Sequence, residues 1–499
     1  MFAPLCGCGS IDFSTILSKP KETINQAKAP ATWQANLPHG GDTAKLKDFW
    51  NQTQDTLLLT LIEAAQKESP NVAAAKTRIA EANETRTSAR ANTLPTLDGT
   101  ISTQRSKQQP SVTYSNQGQS SAGTQNANGQ GSFGQGASNT TQINAQAAWE
   151  LDVFGVNKVL LNAAEQQISA SHAGWHEARI SVAAEVATSY FNQRFCQLQQ
   201  NVLADDVQSR SETLRLTNIS VKAGFAAISA GQLAAAGLAD AKQQLNTQQA
   251  NCDVNIKELV ALTGLEEQAI RAQLQAQAFT ATATESLLTI DAIPANVISQ
   301  RPDIYRAEAD LVNAAANIAS NQAAKYPRVT LNGSIGWMWL SGVGFSGNGS
   351  VWSLGPVSVT LPLYDGGKRD AKLASAQTSY EESAVQYRSK VRVAVKEVET
   401  ALVNLHSAQT KQTDLEAAVA GYKAALTATQ AKVKAGFANL IELEESRRLA
   451  LQAETSRVSV QQARYNAWVA LYRAAGGGWA RDANAEPTNT MSDKEMKQP

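Results

Sequence analysis

Two hydrophobic periods alternate along this chain, and their order predicts its elements. Residues 9–55 keep no sustained period and carry Pro20, Pro30 and Pro38, so an extended strap is expected there. Helical spacing begins near Thr56 and runs to Lys67. Ser69-Pro70 then offers an N-cap and an N1 proline for a second helix to about Asn92. From about 94 to 103 the period falls to two: Leu97, Gly99, Ile101 and Thr103 share one face, and Asp98, Thr100 and Ser102 the other. Residues 104–139 are rich in Ser, Gln, Asn and Gly and read as a loop. Alternation returns over 141–154, with Ile143, Ala145, Ala147, Trp149 and Leu151 opposite Gln142, Asn144, Gln146 and Glu150. Residues 155–222 hold no proline and turn helical, with Phe191, Phe195, Leu198 and Val202 at coiled-coil spacing. At 1.5 Å per residue such a helix is about 100 Å long. A partner helix is expected over 229–263, then a mixed connector over 264–294.

The second half repeats this order. Arg301-Pro302-Asp303 opens a helix to about Lys325. Strands are expected over 328–340 and 351–365, with a Gly/Ser loop at 341–350. Long helices follow over 368–435 and 439–475, the first with a seam at Val391, Val395, Val398, Leu402 and Leu405. Residues 480–499 read as a polar tail. One six-residue phrase marks the repeat: Val221-Lys222-Ala223-Gly224-Phe225-Ala226 returns as Val433-Lys434-Ala435-Gly436-Phe437-Ala438. Each copy lies between two long helical runs, where a glycine marks a reversal. We therefore expect an internally duplicated chain with two antiparallel helix hairpins, turning at Gly224 and Gly436.

Composition narrows the function. Lys plus Arg equals Asp plus Glu, 44 each, which removes the electrostatic case for nucleic acid. No apolar run is long enough for a spanning helix, yet strands of about ten alternating residues can cross a membrane as part of a barrel. His172 and His176 stand at i, i+4, a zinc-compatible spacing, but no third ligand accompanies them, so a solvated helix face is the better reading. No phosphate-binding glycine loop, nucleophile elbow or triad is visible, so neither an enzyme nor a cofactor or metal site is expected. Leu5-Cys6-Gly7-Cys8 resembles a bacterial lipobox, with residues 1–8 as a residual signal segment and Cys8 as the lipidated residue. Cys196 and Cys252 lie equally far on either side of Gly224, so the hairpin brings them to similar height. Packed helix axes are about 8–10 Å apart and a disulfide needs Cα atoms within about 7 Å, so bridged and free thiols both stay open.

Four amphipathic strands cannot form a closed sheet alone, and open edges are not tolerated in lipid. The expected class is therefore an α+β membrane protein. Its four strands contribute to a transmembrane β-barrel shared among subunits, and its long helices form coiled coils past one end of that barrel. The apolar faces, with Trp149, Trp337 and Trp339, would meet lipid, and the Gln, Asn and Thr faces water. A soluble or lipid-anchored coiled-coil protein with two β-hairpin caps explains the helices but not the two-faced strands.

Trp149-Glu150-Leu151-Asp152-Val153-Phe154-Gly155, Gln300-Arg301-Pro302-Asp303-Ile304 and Gly476-Gly477-Gly478-Trp479, in this order, resemble the outer membrane factors of tripartite efflux pumps, in the NodT/OprM-like lipoprotein branch related to TolC. The resemblance covers about Cys8 to Trp479. It implies a homotrimer with a shared barrel in the outer membrane and a helical barrel in the periplasm. It implies docking to a periplasmic adaptor and, through it, to an inner-membrane transporter of the resistance-nodulation-division class. It also implies passive export of drugs or other toxic small molecules; a TolC-like conduit for type I protein secretion is the nearer rival.

Two sites follow. The hairpin tips, with Gly224, Phe225, Gly436 and Phe437, would form the periplasmic entrance and the adaptor-docking surface. The gate would lie just past the second tip. Glu442, Glu445 and Arg448 share one helix face there, and the first tip has only Ile228, Ser229, Ala230 and Gln232 in the same stretch. By itself this is an ordinary charged face with Glu445–Arg448 pairing. The resemblance places the narrowest constriction here, which would turn Ile441, Glu442, Glu445 and Arg448 into stacked rings in a trimer.

Overall fold

The computed structural model describes residues 13–27, 29–35, 49–52, 55–107, 137–277, 279, 294–342 and 345–479. In chain order the elements are α1 (Ser14–Gln26), α2 (Phe49–Gln52), α3 (Thr56–Glu68), α4 (Pro70–Ala91), β1 (Thr96–Lys107), β2 (Ala137–Leu151), α5 (Val156–Lys222), α6 (Ile228–Thr263), α7 (Glu267–Ala276), α8 (Pro294–Ser299), α9 (Pro302–Ala323), β3 (Arg328–Gly342), β4 (Phe345–Thr360), α10 (Lys368–Lys434) and α11 (Leu440–Ala474). The described residues divide into two units, one built on 13–18, 83–165 and 312–380, the other on the described parts of 19–82, 166–311 and 381–479.

The first unit holds one antiparallel sheet in the order β1-β2-β3-β4. Directly paired residues share a face, so the register sorts the side chains. Ile101, Ile143 and Trp337 align in one row, and Leu97, Ala147 and Gly333 in another. Leu97, Ile101, Ile143, Trp149, Ile335, Trp337 and Trp339 are all exposed on this face. The opposite face carries Asp98, Thr100, Gln142, Asn144, Gln146, Thr330, Asn332 and Ser334. Hydroxyl pairs cross it, Thr330 with Ser358 at 2.5 Å and Ser334 with Ser353 at 2.8 Å.

The fourth strand corrects the expected boundaries. β4 starts at Phe345, inside the expected Gly/Ser loop, and ends at Thr360 rather than 365. A bulge lies opposite Leu331–Gly333, at Gly355 and the cis Pro356. It inverts the alternation, so Val359 and Val357 on one side share the apolar face with Leu354 and Trp352 on the other. Strict period two would have placed one of these pairs on the polar face. β1 and β2 also run further than expected, to Lys107 and from Ala137, which shortens the loop between them.

The second unit packs long helices around an aromatic and aliphatic core. The two expected seams are in it: Phe191, Phe195, Val398, Leu402 and Leu405 are buried, with Leu198, Val202 and Val395 packed against them. The expected strap is partly helical. In α1 Pro20 and Thr23 are buried, so an amphipathic turn persists through a proline that argued for extended chain. Trp33, Phe49 and Trp50 enter the core, Phe49 stacking on Tyr472 at 5.0 Å. The Gln34 and Ala35 amides donate to Glu399 at 2.7 and 2.9 Å, holding that segment against α10. The connector contains a helix, α7, because Ile270 and Leu274 bury one face of it. No described helix is long and apolar enough to cross a membrane.

Candidate functional site

Both hairpin tips are built the same way. The Gly224 amide donates to Val221 O (3.0 Å) and the Phe225 amide to Ser220 O (2.8 Å). At the second tip Gly436 donates to Val433 O (3.1 Å) and Phe437 to Lys432 O (2.8 Å). These are Schellman closures, which need a left-handed residue at the turn, and Gly224 and Gly436 sit at φ 78° and 81°. A Schellman turn usually folds its next apolar residue back on the helix. Here Phe225 and Phe437 remain 89% and 84% exposed, so each tip presents a bare aromatic ring. Lys222 and Lys434 are exposed beside them.

Past the second tip, Asn439 caps α11 by accepting from the Glu442 amide at 2.9 Å. Glu442 thus falls in the first turn, where the helix dipole favours an anion. Ile441, Glu442, Glu445 and Arg448 are all exposed, on the face opposite buried Leu443, Arg447 and Ala450. Arg448 grips Glu445 with two hydrogen bonds, 2.6 and 3.0 Å, within the one helix. These bonds hold the Glu445 carboxyl below the ordinary carboxylate range and raise Arg448.

The buried face carries a second charged group that helix spacing alone did not single out. Glu444 accepts from Arg210 of α5 at 2.6 Å and from Arg447. Arg210 also binds Asp206 at 2.8 Å, and Arg447 reaches Thr213 at 2.8 Å. Gly237 of α6 leaves room for this: a Cβ there would stand 3.0 Å from the Arg210 guanidinium. The Arg447 side chain is 4% exposed, and burial pushes its pKa down despite Glu444. Asp206–Arg210 and Glu444–Arg447 are visible in the sequence as i, i+4 and i, i+3 pairs. Their inward direction is not, because it depends on helix phase.

Each hairpin is also tied internally. Cys196 of α5 and Cys252 of α6 form a disulfide with Cα atoms 5.6 Å apart. In the other hairpin Lys423 and Arg457 both bind Glu454, and Thr429 meets Ser446 at 3.2 Å. The motifs at 300–304 and 476–479 interlock. Arg301 binds Asp303 twice (2.8 and 3.0 Å), Glu397 (2.8 Å) and Ala474 O (2.8 Å). A Cβ on Gly476, at φ 80°, would lie 2.5 Å from Gln300 O. Among the described residues no group of three or more His, Cys, Asp or Glu is placed to hold a metal. Cys8 lies outside the described residues, as do 108–136 and 480–499.

The family model for outer membrane efflux proteins matches residues 61–265 and 293–477, leaving out most of the connector. Nodulation protein T of Rhizobium leguminosarum bv. trifolii is 27% identical over 486 residues, 95% of this chain and 97% of its own. Outer membrane protein OprJ of Pseudomonas aeruginosa is 30% identical over 340 residues, 66% of this chain and 68% of its own. A crystal structure of a P. aeruginosa membrane protein superimposes with TM-score 0.77 at 25% identity, over 90% of this chain and 97% of that one. The Campylobacter jejuni CmeC outer membrane channel gives 0.75 at 22%, over 92% of each. The two-faced sheet, the paired hairpins and a family match across most of the sequence lead to one conclusion: this chain belongs to the outer membrane efflux protein family, the outer membrane factors related to TolC.

Proposed function

We propose that this chain is the outer-membrane conduit of a tripartite efflux assembly that exports toxic small molecules. The observation that carries the reading is the sheet: among the described residues, four strands, apolar on one face and polar on the other, with β1 and β4 each paired on one side only. Three copies would join these edges into a closed barrel of twelve strands, leaving no unpaired backbone in lipid. The apolar face spans Val329 to Trp339 on β3, about 34 Å along the strand at 3.4 Å per residue. With a tilt of about 40° this becomes a band about 26 Å tall, the height expected of an outer-membrane barrel.

The helices stand on the periplasmic side in this reading, Cys8 carries the lipid anchor, and the internal duplication supplies two hairpins per subunit. Phe225 and Phe437, each beside a lysine, form the surface that a periplasmic adaptor grips, and the adaptor joins the conduit to an inner-membrane transporter of the resistance-nodulation-division class. Ile441, Glu442, Glu445 and Arg448 ring a closed, cation-selective entrance. The buried Asp206–Arg210–Glu444–Arg447 group fixes α11 against α5 behind that ring. Energy comes from the transporter; the conduit is passive. Small-molecule export is favoured over protein secretion by the kinship with the solvent and toluene efflux pump proteins SrpC and TtgI of Pseudomonas putida, each 27% identical over 92% of this chain and 95% of its own. The test is complementation. A strain lacking its outer-membrane conduit, given this chain with its matched adaptor and transporter, should stop accumulating a fluorescent dye. Dye retention despite trimers in the outer membrane would count against the reading.

A further inference from the structure

The outward, apolar face of the sheet carries two charges among the described strand residues, Arg105 and Lys107. Both are exposed, both are basic, and both stand on β1 beyond the apolar band. The register fixes their level. Thr103, Thr141 and Trp339 form one row; the next outward row is Arg105, Asn139, Ser341 and Ser346; Lys107 follows opposite Ala137. Arg105 thus lies about 7 Å along the strand past the level of Trp339. Trp337 and Trp339, with ring centroids 6.4 Å apart, supply the aromatic girdle at that border. This is also the end of the sheet away from α4 and α5, which leave from Thr96 and Leu151. The charges on the opposite face, Asp98, Glu150 and Arg328, are of mixed sign.

We propose that Arg105 and Lys107 bind the phosphate of a glycolipid in the outer leaflet, its acyl chains lying along the band of Ile101, Ile143 and Trp337. The inference rests on the membrane-spanning reading above. A guanidinium presents a planar fork that matches phosphate oxygens, and a lysine beside it adds a mobile point charge. The Asn139 amide and the Ser341 and Ser346 hydroxyls share the Arg105 row and suit the sugar. Basic residues also blunt exposed sheet edges, but that role is indifferent to whether the lipid carries phosphate.

Lipid retention separates the two. Full-length protein is loaded into nanodiscs containing either bisphosphorylated lipid A or the same lipid with its phosphates removed, and bound lipid is counted by native mass spectrometry. The parent should retain the phosphorylated lipid at least tenfold over the other, and excess inorganic phosphate should not displace it. R105Q/K107Q should bring that ratio near one, while R105K/K107R and R328Q keep it. An unchanged ratio in R105Q/K107Q, or a parental ratio near one, would overturn the proposal. The same preparation is run in a planar bilayer. Discrete conductance steps with a parental ratio near one refute the lipid site alone. Absence of steps refutes the membrane-spanning reading and this inference with it.

Discussion

Replacing Glu444 by Gln tests whether the buried charged group, rather than the exposed pair beside it, holds α11 in place. Glu444 takes hydrogen bonds from Arg210 and Arg447. Gln keeps the shape and removes the charge. Arg210 retains Asp206 at 2.8 Å. Arg447, with a side chain 4% exposed, keeps the Thr213 hydroxyl and at most a neutral amide oxygen in place of its carboxylate. Removing one partner of a buried ion pair costs about 3–5 kcal/mol, because the remaining charge stays desolvated. Glu444 is itself 22% exposed, so the lower end, about 3 kcal/mol, applies. That is about a hundredfold in an opening equilibrium. Amide hydrogen exchange of residues 443–450 in the full-length, detergent-extracted protein reads this local opening directly. Protection should fall about a hundredfold in E444Q. In E445Q it should hardly change, since the Glu445–Arg448 pair is more than half exposed and screened by water. Protection in E444Q within threefold of the parent, or an equal loss in E445Q, would mean that the buried group is not what holds α11 in place.

Other consequences are as specific. Gly436→Val forces a branched residue to φ 81°, a strain of about 1–3 kcal/mol; export should be lost while trimers still reach the outer membrane, and dye efflux beside native gels checks both. Gly421→Ala, in open space within α10, should leave export intact. The depressed Glu445 carboxyl fixes the sign of a pH effect: its link to Arg448 is fully formed above the ordinary carboxylate range and is lost only as pH falls through the lower, folded value. Resting conductance should therefore stay flat from pH 7 down through about pH 4.3 and rise below it. In E445Q it should be raised and insensitive to pH over that window. Alkylation of the unfolded, non-reduced protein should leave Cys196 and Cys252 unlabelled until a reductant is added; labelling of both beforehand would contradict the disulfide.

Much of the architecture was legible because its periods are clean. From Gln142 to Leu151 only Ala148 breaks the alternation, so the two faces of β2 can be read directly. The repeated Lys-Ala-Gly-Phe located both tips, since only glycine meets the left-handed turn without strain. What escaped has identifiable causes. The bulge at Gly355-Pro356 inverts alternation, so the outer part of β4 reads as loop. Pro20 argued for extended chain, yet burial of its own ring keeps α1 helical. Arg210, Glu444 and Arg447 look like surface residues, and only the crossing of α5 with α11 makes them interior. The exposed face of Glu442, Glu445 and Arg448 was legible as a face. The gate proposed for that face needs a trimer axis, which no periodicity within one chain encodes.

In the proposed assembly, three copies of this chain close one barrel around an aqueous path. Planar-bilayer recording of purified protein, with the chains per conducting particle counted by native mass spectrometry, tests it most directly. Discrete, cation-selective steps are expected from particles of three chains, with selectivity weakened when Glu442 and Glu445 are both replaced by Ala. A silent bilayer, or conducting particles of any other stoichiometry, would contradict it.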